Sequence, residues 1–170
     1  MTGRIMVAGV GNVFLRDDAF GVEVVRQLAG RPVPDGVEVA DFGIRGVHLA
    51  YELMDGCDLL ILVDAAARGE PPGTVSVIEV GPGSGGGTPV VPVIDAHGLA
   101  PDDVFALLDR LGGRPVRTLV VACEPAEVCA GMGLSDPVNE AVPHAVRTVL
   151  EILDREAVPD TPTRPAASEN

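Results

Sequence analysis

Hydrophobic residues along the chain alternate between short continuous runs and helical spacing. The continuous or alternating runs predict strands over residues 4–10, 37–42, 58–65, 74–80 and 116–123. Elsewhere apolar residues recur three or four positions apart, and they predict helices over residues 18–28, after Gly46, from Pro101 and from Asp136. Asp17 is the expected N-cap of the first of these helices. The order β-α-β-α-β-β-α-β-α predicts a three-layer α/β fold, in which helices cover both faces of a mostly parallel, twisted five-stranded sheet.

The composition fits a single globular domain. With 170 residues the chain has room for one core, and a hydrophobic content of 46% argues against intrinsic disorder. Only 3% of the residues are aromatic, so the core is expected to consist mainly of Val, Leu, Ile and Ala. We predict one domain over residues 1–156 and a disordered, Pro-rich polar tail over residues 157–170.

The net charge of the chain and the motifs that it lacks exclude several classes of protein. A net charge of −13 argues against nucleic acid as a partner, because binding to phosphates requires a basic surface. All 12 basic residues are Arg, so Walker-type phosphate binding and Schiff-base chemistry by Lys are excluded. No apolar run approaches the ~20 residues of a membrane span, and the N-terminus has no signal-peptide pattern. We therefore predict a cytoplasmic protein that makes no membrane contact.

Three candidate metal ligands fall where a parallel sheet binds its ligands, outside the carboxyl ends of the strands. Asp18 follows the loop after the first strand, Asp64 lies at the end of the central strand, and His97 precedes the helix that Pro101 introduces. Two carboxylates and an imidazole suit nickel, zinc, iron or manganese, and three protein ligands leave positions open for water or substrate. Such residues are also common as helix caps and solvated loop residues, so the residue types alone leave both interpretations open.

Other sites have weaker support in the sequence. Residues 9–11 (Gly-Val-Gly) mimic part of a dinucleotide-binding motif, but Phe14 takes the place of its third glycine. No G-x-S-x-G motif of a serine hydrolase is present. Cys123 at a strand end could act as a nucleophile with His97 as its base, although a buried structural role is more common for Cys there. Glu124, its neighbour, is a further residue that could line the cleft.

Several motifs together carry a family resemblance. Residues 9–21 read G-V-G-N-V-F-L-R-D-D-A-F-G, which resembles the G-x-G-N-x(4)-D-[DE]-x-x-G opening of the nickel–iron hydrogenase maturation endopeptidases. Further similar stretches are Val63-Asp64-Ala65, His97-Gly98, residues 41–46 (despite departures at Phe42 and Ile44-Arg45 from D-G-G-T-x-G) and Gly131–Ser135. The likeness extends from Ile5 to Leu153 with matching order and spacing.

The resemblance implies a function and a set of site residues. The family's metal-contacting and catalytic positions fall on Asp18, Asp64 and His97, with Asp18 standing where several members have Glu. It implies an aspartic-type endopeptidase that removes the C-terminal extension from a hydrogenase large-subunit precursor once nickel is inserted. The nickel implied is that of the precursor, and no organic cofactor is implied.

Two mechanisms stay open at this level. The metal acts either as a Lewis acid that activates water or chiefly as a recognition element, with Asp18 or Asp64 as general base. We favour recognition and positioning, because no H-E-x-x-H pattern is present. The alternative function is a non-catalytic nickel-binding accessory protein on the same scaffold.

Overall fold

The computed structural model of the protein describes residues 3–80 and 101–157. The expectations for the glycine-rich stretch 81–88, for His97 and for the tail beyond Ala157 lie outside these residues. The strands are β1 (Ile5–Val10), β2 (Val37–Gly43), β3 (Leu59–Ala65), β4 (Val75–Val80) and β5 (Arg117–Cys123). The helices are α1 (Phe20–Leu28), α2 (Gly46–Met54), α3 (Pro101–Arg110) and α4 (Asp136–Ala157), and a 3₁₀ helix, Arg16–Ala19, connects β1 to α1.

The strands form one sheet in the order β2-β1-β3-β5-β4. β1 pairs in parallel with β2 and β3, and β3 pairs in parallel with β5. Only β4, at one edge, is antiparallel to its neighbour within this sheet. The register places Gly9 of β1 opposite Val63 of β3, so the two strands end side by side. The expected five-stranded, mostly parallel sheet with helices on both faces is confirmed.

Alternate residues of the central strands supply two separate cores. Ile5, Val7, Ile61 and Val63 face α1 and α4, and their neighbours in the sequence, such as Leu62, face α2 and α3. This explains why the first five residues of β3, Leu59 to Val63, are all apolar, since both faces of the strand are covered. The core is built mainly from aliphatic side chains, as the composition predicts.

Close glycine contacts hold the start of α1 against the sheet. A Cβ atom on Gly21 would lie 2.5 Å from the carbonyl oxygen of Val10 and 2.8 Å from the carbonyl carbon of Val63. A Cβ atom on Gly9 would lie 2.5 Å from a methyl group of Val25. All three distances are shorter than real Cβ contacts, so only glycine permits this approach. The 3₁₀ helix therefore sits directly over the ends of β1 and β3.

The buried face of α4 matches the spacing of apolar residues in its sequence. Its five predicted core positions are all buried against the sheet: Val138, Val142, Val146, Val149 and Leu153. None of the helices in the described ranges combines the length and apolar character that a transmembrane span requires.

Candidate active site

The candidate site lies where the strand order reverses. From β1 the chain passes through α1 to β2 on one side, and it returns through α2 to β3 on the other side. In such sheets the crevice at the carboxyl ends of these two strands is the usual ligand site. Asp18 lies in the 3₁₀ helix that follows β1, and Asp64 is the penultimate residue of β3. Asp41, the first residue of the family-like stretch 41–46, lies opposite Gly9 near the same end of the sheet.

Asp18 is held by the turn that follows β1. Its Oδ2 atom accepts a hydrogen bond of 2.7 Å from the backbone N–H of Asn12. Gly11 has a φ of 139°, and a Cβ atom there would collide with the backbone carbonyl of Asp18. Burial raises the pKa of Asp18, and the hydrogen bond from Asn12 opposes this rise only in part. The G-x-G-N part of the opening motif thus shapes a turn that fixes this carboxylate.

Asp64 has the more strongly perturbed carboxyl group. Burial raises its pKa well above the ordinary range, the negative charge of Asp18 raises it further, and the N–H of Ala65 lowers it only in part. Asp18 and Asp64, hereafter the carboxylate pair, are therefore close enough to repel each other when both are ionised. Two carboxylates that repel each other favour the binding of a proton or a cation between them.

The third residue of the predicted set remains untested. His97 lies outside the described residues, so the structure does not place it relative to the carboxylate pair. Within residues 3–80 and 101–157, no three His, Cys, Asp or Glu side chains converge in a way that could hold a metal ion. The carboxylate pair offers hard oxygen ligands, which fit a divalent ion that takes further ligands from elsewhere. The set Asp18, Asp64 and His97 stays a prediction.

Asp17 has a different role from the one its sequence position predicts. The expectation that it caps α1 is wrong, because α1 begins at Phe20 with Ala19 as its N-cap. Asp17 is instead fully buried, and its carboxylate accepts hydrogen bonds of 2.7–2.8 Å from the N–H groups of Ala126, Glu127 and Ser135 and from the hydroxyl of Ser135.

These contacts set the ionisation state of Asp17. Burial alone raises the pKa of a carboxyl group, but the bonds from Ser135, Glu127 and Ala126 outweigh it and lower the pKa of Asp17. Its oxygen atoms are occupied by donors, so Asp17 acts as an anchor. Sequence reasoning missed this role because the donors lie more than 100 residues away.

Backbone contacts join two loops, residues 11–15 after β1 and residues 124–135 after β5, hereafter the paired loops. The N–H of Gly131 donates to the carbonyl of Phe14 at 2.9 Å, and the N–H of Arg16 donates to the carbonyl of Gly131 at 3.1 Å. Arg16 adopts a φ of 51°, which is rare for a residue other than glycine. Its guanidinium pairs with Glu127 at 2.9 Å. The paired loops form one unit beside the carboxylate pair.

Two other candidates from the sequence are structural. The carboxylate of Glu124 accepts hydrogen bonds from the N–H groups of Arg68 at 2.6 Å and Gly69 at 3.3 Å, so it holds the loop that follows β3. Cys123 is fully buried. Burial, followed by the charges of Asp17 and Glu124, raises the pKa of Cys123 to about 12. A thiol with this pKa is a poor nucleophile at neutral pH, because the thiolate is the reactive form.

Fold and site together define a doubly wound α/β protein with two interacting carboxylates at the switch point of its sheet. Residues 22–152 match the family described as HycI, hydrogenase maturation protease. The hydrogenase 2 maturation protease of Escherichia coli K12 is 31% identical over 172 residues, which cover 92% of this chain and 99% of that protein. The hydrogenase expression/formation protein HupM of Azotobacter chroococcum is 34% identical, over 95% of this chain and 78% of that protein.

A solved structure agrees with these sequence relatives. The hydrogenase maturating endopeptidase HybD from E. coli superposes with a TM-score of 0.74 at 31% identity, over 89% of this chain and 93% of that one. The chain belongs to the hydrogenase maturation protease family. The resemblance inferred from its motifs is confirmed, and its homologues support protease activity.

Proposed function

We propose that this protein is the endopeptidase that removes the C-terminal extension of a nickel–iron hydrogenase large-subunit precursor after nickel insertion. The observation that carries the proposal is the carboxylate pair, which lies at the switch point of a chain that belongs to the protease family. The N–H of Asn12 and the close glycine contacts hold the carboxylate of Asp18 in place before any substrate arrives.

The chemistry of the carboxylate pair fits recognition of a metal ion carried by the substrate. The nickel ion of the precursor is the substrate's own, and the carboxylates of Asp18 and Asp64 supply oxygen ligands that suit it. His97 is the proposed third contact. A cation placed between the carboxylates would remove their repulsion and favour the ionised form of Asp64. Precursor without nickel would lack this attraction, so the proposal predicts a preference for the loaded form.

Asp64 is the better candidate for general base. A base works best when its pKa lies near the working pH, and Asp64 is the carboxyl group whose pKa is raised furthest above the ordinary range among the described residues. Once ionised, Asp64 would take a proton from the water that attacks the scissile carbonyl. Asp18 would orient the metal ion, and before the ion binds its charge contributes to the raised pKa of Asp64.

The test is a mass-spectrometric cleavage assay with nickel-loaded and nickel-free precursor. We expect loss of a short C-terminal peptide from the loaded form only. Asp18→Asn, Asp64→Asn and His97→Ala should abolish this cleavage without loss of the fold by circular dichroism. Asp35→Asn is a matched control that should retain full activity, because exposed Asp35 precedes β2 at the opposite end of the sheet.

Two results would contradict the proposal. Complex formation with the loaded precursor, without any change in its length, would identify a nickel-binding accessory protein. Cleavage by Asp64→Asn at the wild-type rate would remove the carboxylate pair from the mechanism.

A further inference from the structure

Two apolar side chains project from the paired loops into solvent. Phe14 is 64% exposed and Met132 is 67% exposed, which makes them the most exposed large hydrophobic residues in the described part of the chain. The backbones that carry them are joined, since the N–H of Gly131 donates to the carbonyl of Phe14 and Leu15 forms a bridge with Gly131. Exposed apolar groups that lie close together often mark an interaction surface.

The fold holds both residues in this exposed arrangement. Met132 lies between Gly131 and Gly133, whose φ angles of 148° and 90° favour glycine and turn the chain sharply on both sides. The N–H of Phe14 donates to the side-chain oxygen of Asn12 at 2.9 Å. The buried carboxylate of Asp17 holds the loop after β5 against the 3₁₀ helix. A partner that binds here would meet a preorganised surface, and little conformational entropy would be lost.

This surface is continuous with the candidate active site. The same Asn12 that accepts from Phe14 donates its N–H to Asp18. A pocket of about 220 Å³ opens next to Met132, and it is lined by Val13, Ala19, Glu23, Arg26, Leu134 and Asn139. Ala19 directly follows Asp18 in the 3₁₀ helix, so the pocket begins one residue from the carboxylate pair.

We propose that Phe14 and Met132 form an apolar contact surface for the protein substrate, and that the adjacent pocket takes an apolar side chain of the precursor close to the scissile bond. This inference rests on the proposed function. A protein chain that delivers a peptide bond to the carboxylate pair would come close to Phe14, because Asn12 bonds both to Asp18 and to the backbone of Phe14. A second copy of this chain on the same surface would instead cover the crevice and exclude the precursor.

The test is steady-state cleavage of nickel-loaded precursor by Phe14→Ser and Met132→Ser. We expect each change to raise KM roughly tenfold, equivalent to about 1.4 kcal/mol, while kcat stays within about twofold of wild type. Phe14→Leu and Met132→Leu should restore most of the lost affinity. Val77→Ser is the matched control, since Val77 is 47% exposed on the edge strand β4, and its KM should not change.

The outcomes separate the two proposals. If the wild-type protein cleaves and both Ser variants keep its KM, the contact surface is refuted and the proposed function stands. If the wild-type protein does not cleave the loaded precursor at all, the proposed function is refuted. The contact surface rests on that function and is then refuted as well. A wild-type dimer in sedimentation analysis that Phe14→Ser converts to monomer would assign this surface to a second copy and overturn the inference.

Discussion

Replacement of Asp64 by Asn is expected to stabilise the fold while it abolishes cleavage. Burial and the charge of Asp18 both disfavour the ionised form of Asp64, so the folded protein holds this carboxylate at a cost in stability. Asn has nearly the same size and carries no charge, and the substitution therefore removes the repulsion without opening a cavity. Relief of this kind at a functional site is typically worth about 0.5–2 kcal/mol.

The magnitude translates into a measurable shift in melting temperature. For a domain of this size, about 1 kcal/mol corresponds to roughly 2–4 °C. We therefore expect Asp64→Asn to melt about 3 °C above wild type at neutral pH in a buffer that contains a chelator. Differential scanning calorimetry of the two proteins provides the comparison.

The pH dependence has a defined sign. Because the pKa of Asp64 is higher in the folded than in the unfolded chain, the folded state binds the extra proton between these two values, and stability falls as pH rises through that window. The window begins near the ordinary value of 3.8 and extends upward to the folded pKa. The advantage of Asp64→Asn should be small at the acidic end, grow through the window and then stay constant. A variant that melts below wild type at every pH would refute this reasoning.

The remaining predictions concern the anchor, the thiol and the tail. Asp17→Asn should destabilise the fold by about 3 kcal/mol in urea titrations, because an amide cannot accept all the bonds of a buried carboxylate. Its effect should fade as pH falls through the lowered pKa of Asp17, and an unchanged urea midpoint would contradict the anchor role. Cys123→Ala should retain cleavage, and loss of activity in this variant would support a thiol mechanism. In the wild-type protein, a thiol reagent near neutral pH should modify the exposed Cys129 but not the buried Cys123. Truncation after Ala157 should leave cleavage rates unchanged, given the polar, Pro-rich composition beyond it, and a large rise in KM would show that the tail binds the precursor.

The sequence predicts the elements of this fold well because their signals are local. An unbroken apolar run is enough to identify β3 as a central strand, and the spacing of Val138 to Leu153 is enough to define one face of α4. The meeting of Asp18 and Asp64 follows from topology, since parallel strands bring their carboxyl ends to one edge.

What the sequence could not predict depends on contacts between distant segments. Asp17 and Asp18 are adjacent and of the same residue type. The oxygen atoms of Asp17 are occupied by hydrogen-bond donors, whereas Asp18 belongs to the carboxylate pair. Their roles differ because the loop after β5 lies against Asp17 and supplies its donors. The exposure of Phe14 follows from the same loop contacts, because an apolar residue near a buried strand is otherwise expected to join the core.

The anchor also sets the order in which the protein becomes competent during its synthesis. The donors to Asp17 follow it by 109–118 positions, and β5, which joins β3 to β4, is made almost as late. A nascent chain that has only reached β4 has both members of the carboxylate pair but lacks the loop after β5, which binds Asp17 next to Asp18. The site is therefore completed only after the loop that follows β5 has been made, and a shorter nascent chain lacks the contacts that fix it.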